Sequence, residues 1–292
     1  MAGVTALPTR DRSLLLELGA QRFLSRGQVK ELLFAGSTLT EASRDVVLRR
    51  VVRRLVERGL VIANARTLDW LDDIGGRTVY SLSPFGWRLF GALARESGTA
   101  RRLATGPFLV PHALMVAEIG LAFRRATRVQ AGGSVLVWQC DWQIAELLGG
   151  SVVLPDARLV YGMGRKELHA FIEADRGTEG GRFFGAKDDR YLDLYHAGGW
   201  RERLPVWPLI LTVTISDRRA AELSRVTERR LVTRAEHPLL ASVFRFGALG
   251  ALRGDEGPFG PIWHVPGSTD LRPLRLTGAA VAGAATDPPE AT

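Results

Sequence analysis

One stretch, Thr40 to Arg58 (TEASRDVVLRRVVRRLVER), restricts the fold more than any other. Val47, Leu48, Val51, Val52, Leu55 and Val56 recur in it at helix spacing. A helix with such a stripe has to bury it against neighbours, and Gly59 supplies its C-terminal stop. Those neighbours can be read on either side. Ser13 to Gly19 has the apolar spacing of a short helix, and Ser25 is the N-cap of a second helix running through Phe34 to a stop at Gly36. Downstream, Leu60 to Ala63 and Thr78 to Leu82 are short strands joined by a polar segment containing Gly75 and Gly76, the pattern of a hairpin. Ser83 and Pro84 then start another helix, which gives way to a linker from Gly98 to Gly106.

Three helices, a hairpin and a closing helix follow the order of a winged helix-turn-helix, in which the third helix enters the major groove. Charge points the same way. Residues 1–130 carry 20 Arg or Lys against 11 Asp or Glu, a balance of +9, whereas residues 131–292 carry 19 against 20. Clustered guanidinium groups gain affinity by displacing phosphate counterions, so double-stranded DNA is the expected partner. Arg44, Arg49, Arg50, Arg53 and Arg54 lie on or beside the non-core faces of the third helix, and Arg77 is expected at the hairpin tip. Arg44, near the N-terminal end, suits a base edge, while Arg53 and Arg54 suit the backbone. The pattern also fits a solvated arginine face or a winged helix used for protein contact; the concentration of charge favours DNA.

From Pro111 a second unit is expected. HALMVAEIGLAFRRATR has the pattern of an amphipathic helix whose apolar stretch contains Glu118. Val135 to Trp142 is strand-like, and Glu146 to Leu148 begins a short irregular crossing. Val152 to Tyr161 and Glu167 to Ala174 alternate as strands around GMGRK, a tight-hairpin composition. Phe183 to His196 and Arg218 to Ala235 read as helices flanking the buried strand Pro208 to Ile215. The fold class is α+β: an N-terminal domain over 1–105, an α/β domain with a central mixed sheet over 106–276, and a disordered tail over 277–292. No apolar run reaches the roughly 18 residues of a membrane span. The start MAGVTALPTRDRS lacks the regions of a signal peptide, so a cytoplasmic protein without a membrane partner is expected. The single cysteine, Cys140, excludes an intramolecular disulfide and a thiolate zinc cluster, and reads as a small buried residue.

Asp156 follows Pro155 at the middle of one expected strand and Glu173 ends the next, so pairing of the two strands sets their carboxylates side by side. Such a pair suits Mg²⁺ or Mn²⁺, which take hard oxygen ligands and complete their shells with water and substrate phosphate. Glu118 is a third carboxylate for the same ion. Acidic residues at strand ends are also commonly just solvated.

The strings HALMVAEIGLAF, LPDARLVY, FIEADRGTE, GAKDDRYLDLY and LTVTISDRR resemble the replication-relaxation family of plasmid and mobile-element proteins, over about Ser13 to Arg219. The resemblance implies a winged-helix DNA-binding part fused to a restriction-endonuclease-like core. It also implies a role in plasmid replication, relaxation or conjugative mobilisation beside other DNA-processing proteins. The related nucleases share a helix glutamate, a PD pair and an (E/D)-x-K triplet, which map onto Glu118, Pro155-Asp156 and Glu173-Ala174-Asp175. The lysine position holds Asp175, and a carboxylate supplies no cation there. Of the only three lysines, Lys30, Lys166 and Lys187, the last is the sensible substitute, with Tyr191 one turn beyond. Asp175 with Arg176 could equally form a structural ion pair. The expectation is a DNA-binding accessory factor with a nuclease-like domain. An active Mg²⁺-dependent endonuclease, with Glu118, Asp156, Glu173 and Lys187 as its catalytic set, remains open. So does a transcriptional regulator whose second domain senses a ligand or forms a homodimer.

Overall fold

The stripe of the arginine-rich segment becomes a helix whose fully buried residues are Leu48, Val51, Val52 and Leu55, the i, i+3, i+4, i+7 set of one face. Val47 is only partly buried and Val56 is 40% exposed, so the stripe is narrower than the sequence pattern suggests. The structure, a computed structural model, describes residues 7–65, 78–94, 109–148, 153–177 and 181–278. The chain forms two units, residues 1–121 and 122–292.

In the first unit α1 (Thr9–Gln21), β1 (Phe23–Ser25), α2 (Arg26–Leu33), α3 (Glu41–Glu57), β2 (Val61–Ala65), β3 (Thr78–Leu82) and α4 (Pro84–Ala94) follow in order, then the start of α5 (Leu109–Val129). Ser25 caps α2 with a reciprocal box: its hydroxyl accepts from the Gln28 N–H, while the Gln28 side chain accepts from the Ser25 N–H. Thr40 caps α3, and Gly59 ends it at φ +67°, a conformation that favours glycine. The strands order β1-β3-β2, all antiparallel. Sequence periodicity missed β1 because three residues carry too little alternation to register. Leu14, Leu15, Leu18, Leu24 and Val29 are buried. The expected linker and Arg77 lie outside the described residues, as does the tail beyond residue 278.

The second unit is built on a mixed sheet. After α5 come β4 (Gly133–Cys140), α6 (Asp141–Leu147), β5 (Ala157–Met163), β6 (Lys166–Asp175), α7 (Gly181–Ala197), β7 (Leu209–Thr214), α8 (Asp217–Thr233), β8 (Phe244–Ala248), α9 (Leu249–Arg253) and β9 (Thr277–Gly278). The order is β4-β5-β6-β7-β8, with β9 beside one end of β6. The β4/β5 and β5/β6 pairs are antiparallel, and β6/β7 and β7/β8 parallel. Gly164, at φ +61°, opens the two-residue turn between β5 and β6. The protein is therefore a mixed α+β structure. Two expectations shift. β4 begins and ends two residues earlier than read, and the expected irregular crossing belongs to α6. Asp156 is not mid-strand: it precedes β5, because Pro155 has no N–H to give to a ladder. Cys140 is buried, as read.

One sheet face presents Phe171, Ile210, Phe244 and Phe246 to a core completed by Phe184, Tyr191 and Leu192 of α7 and Leu223 of α8. The other carries Tyr161, packed on Phe259 at 4.7 Å, with Phe123 edge-on to the same ring. Among the described residues no helix is long and apolar enough to cross a membrane.

Candidate functional site

Two features of the chain bear chemistry: an acidic centre at the end of β6 and an arginine row on α3. Strand pairing builds the first. Asp156 gives its N–H to the Ile172 carbonyl (3.0 Å), and its Oδ2 accepts from the Ala174 N–H (2.8 Å), so its side chain takes over the ladder where β5 has not yet begun. With Ala157 opposite Ile172, these bonds hold Asp156 beside Glu173. Glu173 is 2% exposed, and α7 lies over it. Lys187 and Tyr191, four residues apart and therefore on one helix face, both reach its carboxylate: Lys187 Nζ donates to Oε2 and Tyr191 Oη to Oε1. Asp156, Glu173 and Lys187, three of the residues singled out from sequence, are thus brought together with Tyr191.

Electrostatics follow from that burial. Loss of solvent raises the Glu173 carboxyl to about 8; the Lys187 ammonium pulls it down and the Asp156 carboxylate pushes it up. Burial, reinforced by Glu173, holds the Tyr191 hydroxyl well above its ordinary value. Asp188, the next residue on α7, is also raised to about 8 by burial, while the Thr227 hydroxyl that donates to its Oδ2 (2.7 Å) opposes the rise. Thr212, opposite Glu173 in the β6/β7 register, is fully buried and its hydroxyl has no hydrogen-bond partner among the described residues.

Asp175 does something different. Its Oδ2 accepts from Arg219 Nε at the start of α8 (2.9 Å) and from Thr214 Oγ1 (3.1 Å), and its Oδ1 from the Gly177 N–H (3.2 Å). Its ion pair is therefore with Arg219, 44 residues on, and not with its neighbour Arg176. Sequence reasoning missed Arg219, Asp188 and Thr212, because no local spacing links residues about 40 positions apart on different elements. Glu118 belongs to the first unit, where it is buried and its Oε2 accepts from Gln28 Nε2 (3.2 Å).

Among the described residues no three His, Cys, Asp or Glu side chains form a metal-holding group. Asp156 and Glu173 are nonetheless adjacent hard-oxygen donors, and one or two carboxylates are what Mg²⁺ commonly takes from a protein, so the donor set fits a small divalent cation.

On α3 the arginines divide. Arg49, Arg50 and Arg53 are exposed on the face opposite the buried stripe; among the described residues Arg53 makes only a long pair with Glu57 (3.7 Å). Arg54 instead grips the fully buried Asp11 of α1 through Nε (2.6 Å) and a second guanidinium nitrogen. Arg44 donates to the Ser37 carbonyl (2.7 Å) across the turn before α3. Lys30 and Arg26 of α2 both reach Asp45, fixing the start of α3 on its neighbour.

No curated protein and no solved structure matches the chain. A family model described as replication-relaxation matches residues 15–210, a span that takes in the arginine row, both carboxylates, Lys187 and Tyr191. With more than half of its 292 residues so matched, the chain belongs to the replication-relaxation family.

Proposed function

We propose that the protein is a DNA-binding factor of mobile-element replication, relaxation or mobilisation, whose second unit holds a Mg²⁺- or Mn²⁺-dependent phosphodiester-cleaving centre. In this reading the first unit is a winged helix-turn-helix that lays α3 in the major groove of double-stranded DNA, with Arg49, Arg50 and Arg53 facing it. The second unit is a restriction-endonuclease-like fold.

The contact of Lys187 with Glu173, beside Asp156, carries the proposal. Nucleases of this kind need two carboxylates and one cation in one place, and the triplet 173–175 lacks the cation. Lys187 supplies it from α7. Asp156 and Glu173 would hold the divalent ion, which when bound supplies charge neutralisation at the attacking and leaving oxygens. Lys187, 27% exposed at its side chain while Glu173 is 3% exposed, stands on the solvent side of the pair. There it can orient a water and stabilise charge on a scissile phosphate. Tyr191 holds the second oxygen of Glu173 and fixes the orientation of the carboxylate. Supercoiled plasmid incubated with the protein and Mg²⁺ or Mn²⁺ tests the centre. The wild type is expected to nick, and Asp156→Ala, Glu173→Ala and Lys187→Ala each to lose at least about 100-fold in rate. Nicking that survives both carboxylate changes contradicts the assignment.

A non-cutting accessory role is the second reading. It is favoured by one observation, that both oxygens of Glu173 already accept hydrogen bonds. Absence of nicking by the wild type under either metal would select it.

A further inference from the structure

We infer that Arg158 is a phosphate-binding residue beside the acidic centre, held ready by Gln139, and that its ligand is a phosphodiester of a nucleic-acid strand. The inference rests on the reading of Asp156, Glu173 and Lys187 as a phosphodiester site. It comes from three observations.

The first is position. Arg158 stands two residues beyond Asp156 and pairs directly with Phe171 across the β5/β6 ladder. Directly paired residues share a sheet face, and Phe171 and Glu173, two apart on β6, share that face too. Arg158 therefore stands on the sheet face that bears Glu173, its Cα about 7 Å along the strand from that of Asp156.

The second is how the side chain is held. Gln139 faces Arg158 in the β4/β5 register, and its Oε1 accepts from Arg158 NH1 (3.0 Å). That partner is neutral. Arg219, also partly buried, instead meets the carboxylates of Asp175 and Glu222, whereas Arg245 rests on the backbone carbonyls of Ser242 and Phe244. Among the described residues no carboxylate pairs with Arg158.

The third is electrostatic. Arg158 is partly buried, and among the described residues its side chain is anchored by the neutral Gln139 amide. A partly desolvated cation with a neutral anchor gains most from an arriving anion, and a guanidinium fork matches two phosphate oxygens at once. The carboxylates nearby repel that anion, so a second cation in addition to Lys187 gives a strand a second point of attachment.

Deoxythymidine 3′,5′-bisphosphate, titrated calorimetrically into the full chain in EDTA and again with Mg²⁺, is the probe. Wild type is expected to bind it in EDTA. Arg158→Gln should weaken binding about 10- to 100-fold, the usual range for losing a charge-assisted pair, and Arg158→Lys by less. Gln139→Ala should weaken it several-fold through the freed guanidinium. Arg158→Gln keeps most of the side-chain volume, and coincident melting curves show that it folds. Equal binding by wild type and Arg158→Gln, or none by either, overturns the inference. Binding that depends on Arg158 in a protein that nicks no plasmid keeps the phosphate site and removes the cleavage reading instead.

Discussion

Asp188 and Arg54 show how much of this chain's chemistry is settled by single buried charges. Asp188 titrates near 3.8 when unfolded but near 8 inside the protein, so the folded state keeps a proton that the unfolded state releases. The contribution of Asp188 to stability is therefore greatest below about pH 4, falls as pH rises toward 8, and levels above it. Asp188→Asn removes that release, and its unfolding free energy should decline less steeply, by up to about 1.4 kcal/mol per pH unit between pH 5 and 7. Chemical denaturation across that range measures it, and an unchanged slope would mean that Asp188 is ionised in the fold. Arg54 is the opposite case, a cation needed by a buried anion. Arg54→Ala strands the fully buried Asp11 and should cost about 2–3 kcal/mol, less than for a sealed pair because a third of Arg54 still meets water. Equal stability of the variant and the wild type in urea would show that Asp11 finds another partner. Neither role could be read from sequence. Arg54 looks like its exposed neighbours until α1 is seen to bring Asp11 to it, and Asp188 looks like Asp189 until α8 brings Thr227.

Helices with strong periodicity and strands with clear alternation are legible as elements in the sequence, whereas short strands defined mainly by their partners are not. The bounds of α2 and α3 follow from Ser25, Thr40 and Gly59, since capping and stripe are local physics. β1 and β8 have no such signal: three residues of β1 are a strand only because β3 accepts them, and β8 only because β7 does. The acidic centre was half legible. Alternation around the GMGRK turn set Asp156 against Glu173, whereas the Lys187 contact depends on where α7 lands. Close approach between elements leaves its own test at Gly86 in α4. A Cβ there would lie 2.1 Å from the Leu60 carbonyl oxygen, which also accepts the Ser83 N–H (3.0 Å). Gly86→Ala must push α4 off the start of β2, and its melting temperature should fall by several degrees, as overpacking of about 1–3 kcal/mol implies. A variant as stable as wild type would show that α4 shifts without cost.

At the scale of the whole molecule, charge is divided as labour would be: +9 over residues 1–130 and −1 over the remainder. Under the proposed function, a basic first unit would give affinity for duplex regardless of sequence, and a nearly neutral second unit would leave room for an acidic centre that otherwise repels the same polymer. The family match runs through both units, so the two have been matched together as one type of chain. The claim on which the rest stands is that α3 meets DNA through Arg49, Arg50 and Arg53, the three that reach solvent and are not bound to Asp11 or Ser37. Duplex binding measured against salt tests it most directly. Each phosphate contact contributes about −0.9 to the slope of log K against log salt, so replacing all three by alanine should make the slope shallower by about 2–3 and weaken binding at low salt. The same slope and affinity in the triple variant and the wild type would contradict it.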